Sequence, residues 1–486
     1  MKDKLKSVWE NDQHKTYCAL NGDETCEILV VGGGLVGQLC AYYLSERGHQ
    51  VLLVEADMLN CKTTANTTAA ITSQQGVIYG DIQKKYGLEF AKSYFLAQEE
   101  GIYQYKLLID KYNIECDFKL VNGYFYSQKS DLTEFKNEFS VLQQIGADAA
   151  YLDKLDKIHL NVNGVIKQSN QAQFDPLKFL SALPRKYKIY EHTRIKNIDL
   201  KKCIASTGQN KIKADKIVIA TRYPILNKCG LIFSKLYQSM SYATAFSNVG
   251  NIDGIYNDDN EDGITLRNYN DMLIVGGIDH RTGRKNDDRC FARLEVVANE
   301  LYPSCQIVTS WLAEDCVTFD HLPLVGNPNK NVKNVYIATG FNKWGMANSI
   351  MSANLISDLI DNKQNKLSAI FSPQRDYILR NFSDFTKGMM ISISNLCKSY
   401  FTCAKKDIST LANGDGGIFT IGGKKRAVYK DLSGKLHIIS ARCSHLGCQL
   451  EFNKEATSWD CPCHGSRFDI DGNILNDPAV IDVHNI

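Results

Sequence analysis

Residues 27–55 constrain the fold most. Residues 27–31 are a short apolar run, and Gly32, Gly34 and Gly37 form a G-x-G-x-x-G turn. Leu35, Val36, Leu39, Cys40, Tyr43 and Leu44 then recur at helical spacing. Gly48 stands where a helix would end, and Val51–Val54 is a second apolar run with Glu55 at its close. The pattern predicts a strand, a helix and a second, parallel strand. Gly32 permits the tight turn, Gly34 lets the backbone approach a pyrophosphate, and Gly37 lets helix and strand pack closely. The pyrophosphate suits the helix N-terminus, where free N–H groups and the positive dipole end meet it. Glu55 is placed to accept a hydrogen bond from a ribose hydroxyl. The unit therefore predicts a bound dinucleotide, without separating NAD from FAD.

The other end of the chain carries a second constraint. Cys443-Ser-His445-Leu-Gly-Cys448 is followed by Cys461-Pro-Cys463-His464-Gly-Ser466. The C-x-H and C-x-x-H pairs offer two thiolates and two imidazoles from two turns. Cys443, His445, Cys461 and His464 are thus the expected ligands of a [2Fe–2S] cluster with two histidines on one iron. Neutral imidazoles remove negative charge and raise the potential above that of an all-thiolate site. The same donor set also suits tetrahedral zinc, but the C-x₂₋₄-C and H-x₃₋₅-H combination of a zinc finger is absent.

A chain of 486 residues exceeds what one core supports, so several domains are expected. Its 56 basic and 54 acidic residues leave a net charge of +2, which gives no footprint for nucleic acid. The N-terminus has no apolar signal region, and no run approaches the ~20 apolar residues of a membrane-spanning helix. A cytoplasmic protein without a membrane span is expected. Of 16 cysteines, four lie between Cys443 and Cys463. The scattered remainder read as reduced core residues rather than a disulfide framework.

Residues 25–365 resemble the FAD-dependent oxidoreductases of the D-amino-acid oxidase/glycine oxidase superfamily. The resemblance rests on 28–37 with Glu55, on 216–221, on 320–326, and on 335–341 leading into Gly345. It implies FAD as cofactor. Leu35, Val36 and Ala56 flank the phosphate and ribose contacts, and Thr64, Thr67 and Thr68 fall where the family meets the FAD phosphates and flavin. Ala220 and Thr221 end a strand beside the cofactor. Gly340, Phe341, Gly345 and Met346 form a glycine turn and helix start at the flavin pyrimidine, where a positive dipole end favours the charge of the reduced ring. Arg222 departs from the family, which often has Gly there. Lys343, Trp344, Arg267 and His280 are candidates for the substrate site, and Arg281 and His321 lie in the same regions. An arginine could clamp a carboxylate.

Residues 405–486 resemble Rieske ferredoxin-like domains. The resemblance implies a disulfide between Cys448 and Cys463, a hydrogen bond from Ser466 to the cluster, and a shielding loop at 477–479. Phe468 stands where high-potential members have a Tyr that bonds a ligand sulfur, so a lowered potential is expected.

The expected fold is an α/β (α+β) FAD-binding Rossmann-like domain with an antiparallel-sheet substrate domain, followed by a small all-β Rieske domain. The nucleotide-binding parts are expected over about 25–75, 160–225 and 320–365, and the substrate-binding parts over about 76–159 and 226–319. Together they fill 1–372; a helical connector is expected over 373–404 and the Rieske domain over 405–486. The expected function is a flavin-dependent dehydrogenase of a small amine or amino acid, relaying single electrons between FAD and an external one-electron donor or acceptor. Two other readings stay open: a non-catalytic redox sensor or electron-transfer module, and an oxygenase, which needs a mononuclear iron on a 2-His-1-carboxylate set.

Overall fold

The computed structural model describes residues 5–10, 15–226, 229–260, 262–284, 289–375 and 407–484, with residues 386, 390 and 394. Ten elements frame the sites. They are β1 (Glu24–Val31), α1 (Leu35–Glu46), β2 (Val51–Val54), β3 (Lys211–Ile219), β4 (Leu236–Ser247), β5 (Ile264–Tyr269), β6 (Met272–Arg281), β7 (Gln306–Thr318), β8 (Val335–Thr339) and α2 (Gly345–Ile360).

The apolar runs read from the sequence form the centre of an eight-stranded sheet. Its order is Leu324–Gly326, β8, β3, β1, β2 and Lys188–Tyr190, with two short strands continuing from β3. β8, β3, β1, β2 and Lys188–Tyr190 run parallel. Such strands are covered on both faces, which explains continuous rather than alternating hydrophobicity; residues 28–30 of β1 are fully buried. Val31 lies opposite both Ile219 and Val54. Three strands therefore end level, and the turns that follow them meet at one edge. α1 sits directly on β1 because of Gly37: a Cβ there would stand 1.8 Å from the Gly32 carbonyl oxygen.

The second sheet has nine strands in the order β7, β4, β6, β5, Ile255–Asp258, Lys119–Ser127, Gly164–Gln173 and Ala70–Ile71, with Ala149–Leu152 also paired to Gly164–Gln173. It is antiparallel except where Ile255–Asp258 meets Lys119–Ser127. Gly164–Gln173, grouped from sequence with the nucleotide-binding parts, belongs to this sheet because it pairs along Lys119–Ser127. The amphipathic stretch 87–112 is the helix Leu88–Tyr112. It packs on α2, where the Tyr105 hydroxyl donates to the Met346 carbonyl at 2.9 Å and Gln98 Nε2 donates to Asn348 Oδ1 at 3.0 Å.

Residues 415–440 form a three-stranded sheet and 451–476 a four-stranded one. Leu450, Trp459 and Phe468 make a small core between them. The expected connector over 373–404 falls almost wholly outside the described residues.

Arg375, at the start of that span, is anchored firmly. Arg375 sends Nε and Nη2 to the two Asp320 carboxylate oxygens at 2.8 Å each, and further N–H groups to the carbonyls of Leu322 and Pro323. The two side chains are 5% and 0% exposed. Removing one partner strands a buried charge, at a cost of about 3–5 kcal/mol. Asp320→Ala should lower the unfolding free energy by that amount in urea titration, whereas a loss below about 1 kcal/mol would show the pair to be dispensable.

Candidate active site and cluster-binding loops

The three level strand ends open on one cavity of about 420 Å³. Ligands of open α/β sheets bind at such carboxyl edges. Every cofactor candidate read from the sequence lines it except Gly37, whose part is the close packing of α1 on the strand turn. The fit to a dinucleotide can be tested on the residues. Glu55 accepts backbone hydrogen bonds from Gly33 at 2.7 Å and Asp57 at 2.9 Å, which fixes its carboxylate at the end of β2. Thr64 Oγ1 accepts from the Leu35 amide at 3.0 Å and so ties the Thr/Ala-rich run to the start of α1. Neither α1 nor α2 is capped by the side chain of its own N-cap residue, α1 receiving only the Thr64 hydroxyl from outside, and both helix starts line the cavity. Two positive helix ends on one cavity suit a pyrophosphate at one and an electron-rich ring at the other. The residues fit FAD.

The second sheet closes the cavity with Ser241, Tyr242, Asn257, Thr265, Gly277 and Asp279. The substrate candidates divide here. Lys343 and Trp344 line the cavity, and Lys343 is ion-paired to Asp279. His280 is outside the lining; its Nε2 lies 3.0 Å from the hydroxyl of Tyr242, which does line it. Arg267 is only 2% exposed and is also outside the lining, so it cannot serve as a carboxylate clamp in this arrangement. It donates to the Ala69 carbonyl at 3.1 Å and lies under the Trp9 ring at 5.1 Å, and burial pushes it down to about 9. His321 is exposed in its loop.

The cluster candidates converge as their spacing requires. The His445 and His464 rings stand edge to face with centroids 5.0 Å apart, and Cys443 and Cys461 are buried with their thiols in mutual contact. His464 Nδ1 is buried with no hydrogen-bond partner, as a nitrogen reserved for a metal would be. Cys448 and Cys463 also lie beside Cys461, but their sulfurs are joined in a disulfide and cannot ligate. The donor set left is two thiols and two imidazoles, which fits a [2Fe–2S] cluster with mixed ligands. Ser466 is fully buried, contacts the Cys443 thiol and accepts from the Ala479 amide at 3.0 Å, so it also holds the 477–479 loop. Phe468 is fully buried.

Both loops touch the first domain, although Ser444 and Leu446 of the first loop stay exposed. Gln238 Nε2, on β4, donates to the carbonyls of His464 at 2.9 Å and Asp477 at 2.7 Å. Arg281, expected at the substrate site, instead donates to the Cys463 carbonyl at 2.9 Å from the end of β6. At Gly465 (φ +82°) a Cβ would stand 2.5 Å from Cβ of Gln238, so the loop can approach only as glycine. Tyr223 meets the His445 ring at 6.4 Å and Phe233 meets His464 at 6.0 Å. Leu475, Asn476 and Asp477 reach the flavin cavity itself.

Sequence reasoning missed Gln238, Tyr223 and Glu314. Buried Glu314 pairs with Arg222 at 3.1 Å and accepts from Asn476 at 2.6 Å, linking the strand-end turn to the C-terminal domain. One signal was available: Arg222 replaces a usual glycine and holds a φ of +60°, a conformation that a large residue keeps only under constraint.

Comparison with known proteins agrees with both sites. The family model described as FAD dependent oxidoreductase matches residues 27–359, and the Rieske [2Fe-2S] domain matches 398–486. The "Putative Rieske 2Fe-2S iron-sulfur protein YhfW" of Bacillus subtilis (strain 168) is 30% identical over 481 residues, covering 96% of this chain and 94% of that one. Glycine oxidase from Geobacillus kaustophilus shares the fold at a TM-score of 0.61 and 16% identity, over 72% of this chain and 99% of that one. L-proline dehydrogenase from P. horikoshii does so at 0.62 and 18%, over 74% and 98%. With an FAD-shaped cavity and a two-Cys, two-His loop pair on one chain, this protein belongs to the FAD dependent oxidoreductase family, and it carries FAD together with its own Rieske [2Fe–2S] cluster.

Proposed function

We propose that the protein is a dehydrogenase acting on a C–N bond, whose electrons pass one at a time through the built-in cluster to an external acceptor. The observation that carries the relay is one continuous stretch of chain. Residues 220–222 line the flavin cavity, and the next residue, Tyr223, contacts the cluster ligand His445. FAD, when bound, supplies acceptance of a hydride and its release as single electrons. The chain supplies the rest. The N-terminus of α2 presents its positive end to the cavity, and the Lys343–Asp279 pair and Trp344 line the adjoining space. Gln238 and Arg281 hold the cluster loops against the strand ends.

The C–N reading rests on the shared fold, whose neighbours include a glycine oxidase and an L-proline dehydrogenase. A cytoplasmic location accords with the described cysteines outside the cluster loops, which are unbridged. No helix among the described residues is long and apolar enough to cross a membrane.

Anaerobic mixing with a panel of amines and amino acids tests the proposal. Flavin absorbance should bleach with at least one compound, followed by the EPR signal of the reduced cluster. No bleaching with any compound would favour a sensor without turnover. Gln238→Ala removes two interdomain hydrogen bonds worth about 1 kcal/mol each. It should slow cluster reduction several-fold while leaving flavin bleaching unchanged; an unaltered cluster rate would mean that docking does not control the relay. Phe468→Tyr should raise the cluster midpoint potential by on the order of 40 mV, the equivalent of one hydrogen bond of about 1 kcal/mol to a ligand sulfur. An unmoved potential in redox titration would remove Phe468 as its determinant.

A further inference from the structure

The wall that the second sheet gives to the cavity is anionic. Asp258 and Asp259 stand at the end of the strand Ile255–Asp258, and Asp279 stands two strands away on β6, with Asp315 on β7. Each cation lining the cavity is already neutralised. Lys62 pairs with Asp57 at 2.8 Å, Arg194 with Asp57 and Asp477 at 3.5 and 3.3 Å, Arg222 with Glu314, and Lys343 with Asp279. The acids keep unused capacity. The Asp259 side chain is 3% exposed; Lys129 reaches its Oδ2 at 3.2 Å, but its buried Oδ1 has no partner. Asp279 Oδ1 is also buried and without a partner. A buried acceptor left open is unfavourable, and a ligand donor relieves that on binding. Burial pushes Asp315 up to about 6 against the pull of Arg222 and Lys343, and burial raises Asp258 as well. The arginine that could have received a carboxylate, Arg267, has Nε and Nη2 unpaired but lies outside the cavity lining, against Trp9 and the Ala69 carbonyl.

We infer that this site takes a cationic di- or polyamine rather than an amino acid, with one amine at the Lys343–Asp279 end and a second, charged amine at Asp258–Asp259. The two ends lie two strand spacings apart, roughly 10 Å between backbones. The inference rests on the C–N reading and narrows its substrate. In the reaction it implies, the amine near Asp279 enters neutral and its carbon loses a hydride to oxidised FAD. Its nitrogen releases one proton as the C=N bond forms, while the distal ammonium keeps its charge. FAD, when bound, would be the oxidant for that hydride, and the external one-electron acceptor would take the two electrons in turn.

The test uses the FAD- and cluster-loaded protein under anaerobic conditions, with binding read from perturbation of the flavin spectrum. The probes are 1,4-diaminobutane, butylamine and 4-aminobutanoate, which share a carbon chain and differ in the charge of the distal group. The diamine should bind at least tenfold more tightly than butylamine, and 4-aminobutanoate most weakly. Asp259→Asn and, separately, Asp258→Asn should each weaken the diamine several-fold with little change for butylamine. Equal or tighter binding of 4-aminobutanoate, or no binding of the diamine, overturns the inference; the wild-type series alone decides this if a variant fails to fold. Diamine binding in the expected order without bleaching supports the cationic site and overturns the C–N reading. Bleaching by an amino acid with no diamine binding does the reverse.

Discussion

The strand β3 carries the arrangement. It lies between β1 and β8 in the parallel sheet, and its register with β1 sets the level at which both strands release the chain. The four residues beyond it serve both cofactor sites: Ala220, Thr221 and Arg222 line the cavity, and Tyr223 meets the cluster histidine. A shift of one residue along β3 would exchange the faces of every side chain and separate the two sites. The electron route and the dinucleotide fold thus depend on the same backbone hydrogen bonds.

Much of this was legible in the sequence, for a definite reason. The glycine turn with Glu55 and the two Cys/His turns are local patterns, complete within about thirty residues, and local geometry imposes their spacing. The second sheet was visible as a type but not in its pairing. Gly164–Gln173 joins it through partners some forty residues earlier, and no periodicity announces that. Arg267, His280 and Arg281 were read together because they are neighbours in sequence. In the structure they part: one is buried under Trp9, one supports Tyr242 behind the cavity wall, and one holds the Cys463 carbonyl. Alternation along β5 and at the end of β6 decides this, and it requires knowing which face is inside.

The interface between the domains was the least readable part. Its main contact joins residues 226 positions apart, and the contributing groups are ordinary polar side chains or backbone carbonyls. Only the unusual residue at Arg222 hinted that this turn answers to something beyond the nucleotide. Electrostatically the interface is economical. Glu314 accepts from Arg222 on one side and Asn476 on the other, so one buried carboxylate satisfies both domains. Several of the remaining contacts use backbone carbonyls as acceptors, with Arg281 and the Arg194–Asp477 pair bringing further charge to the interface.

The cavity wall includes Leu475, Asn476 and Asp477, which lie in the C-terminal domain and share the cavity with the glycine turn at Gly32 and Gly34. A ribosome delivers that turn long before it delivers these residues. The flavin domain can form its parallel sheet during synthesis, yet its cofactor chamber stays open on one side until 475–477 have emerged and folded. Completion of the chamber is in this way tied to folding of the Rieske domain, so a product ending before Leu475 would present an unsealed site.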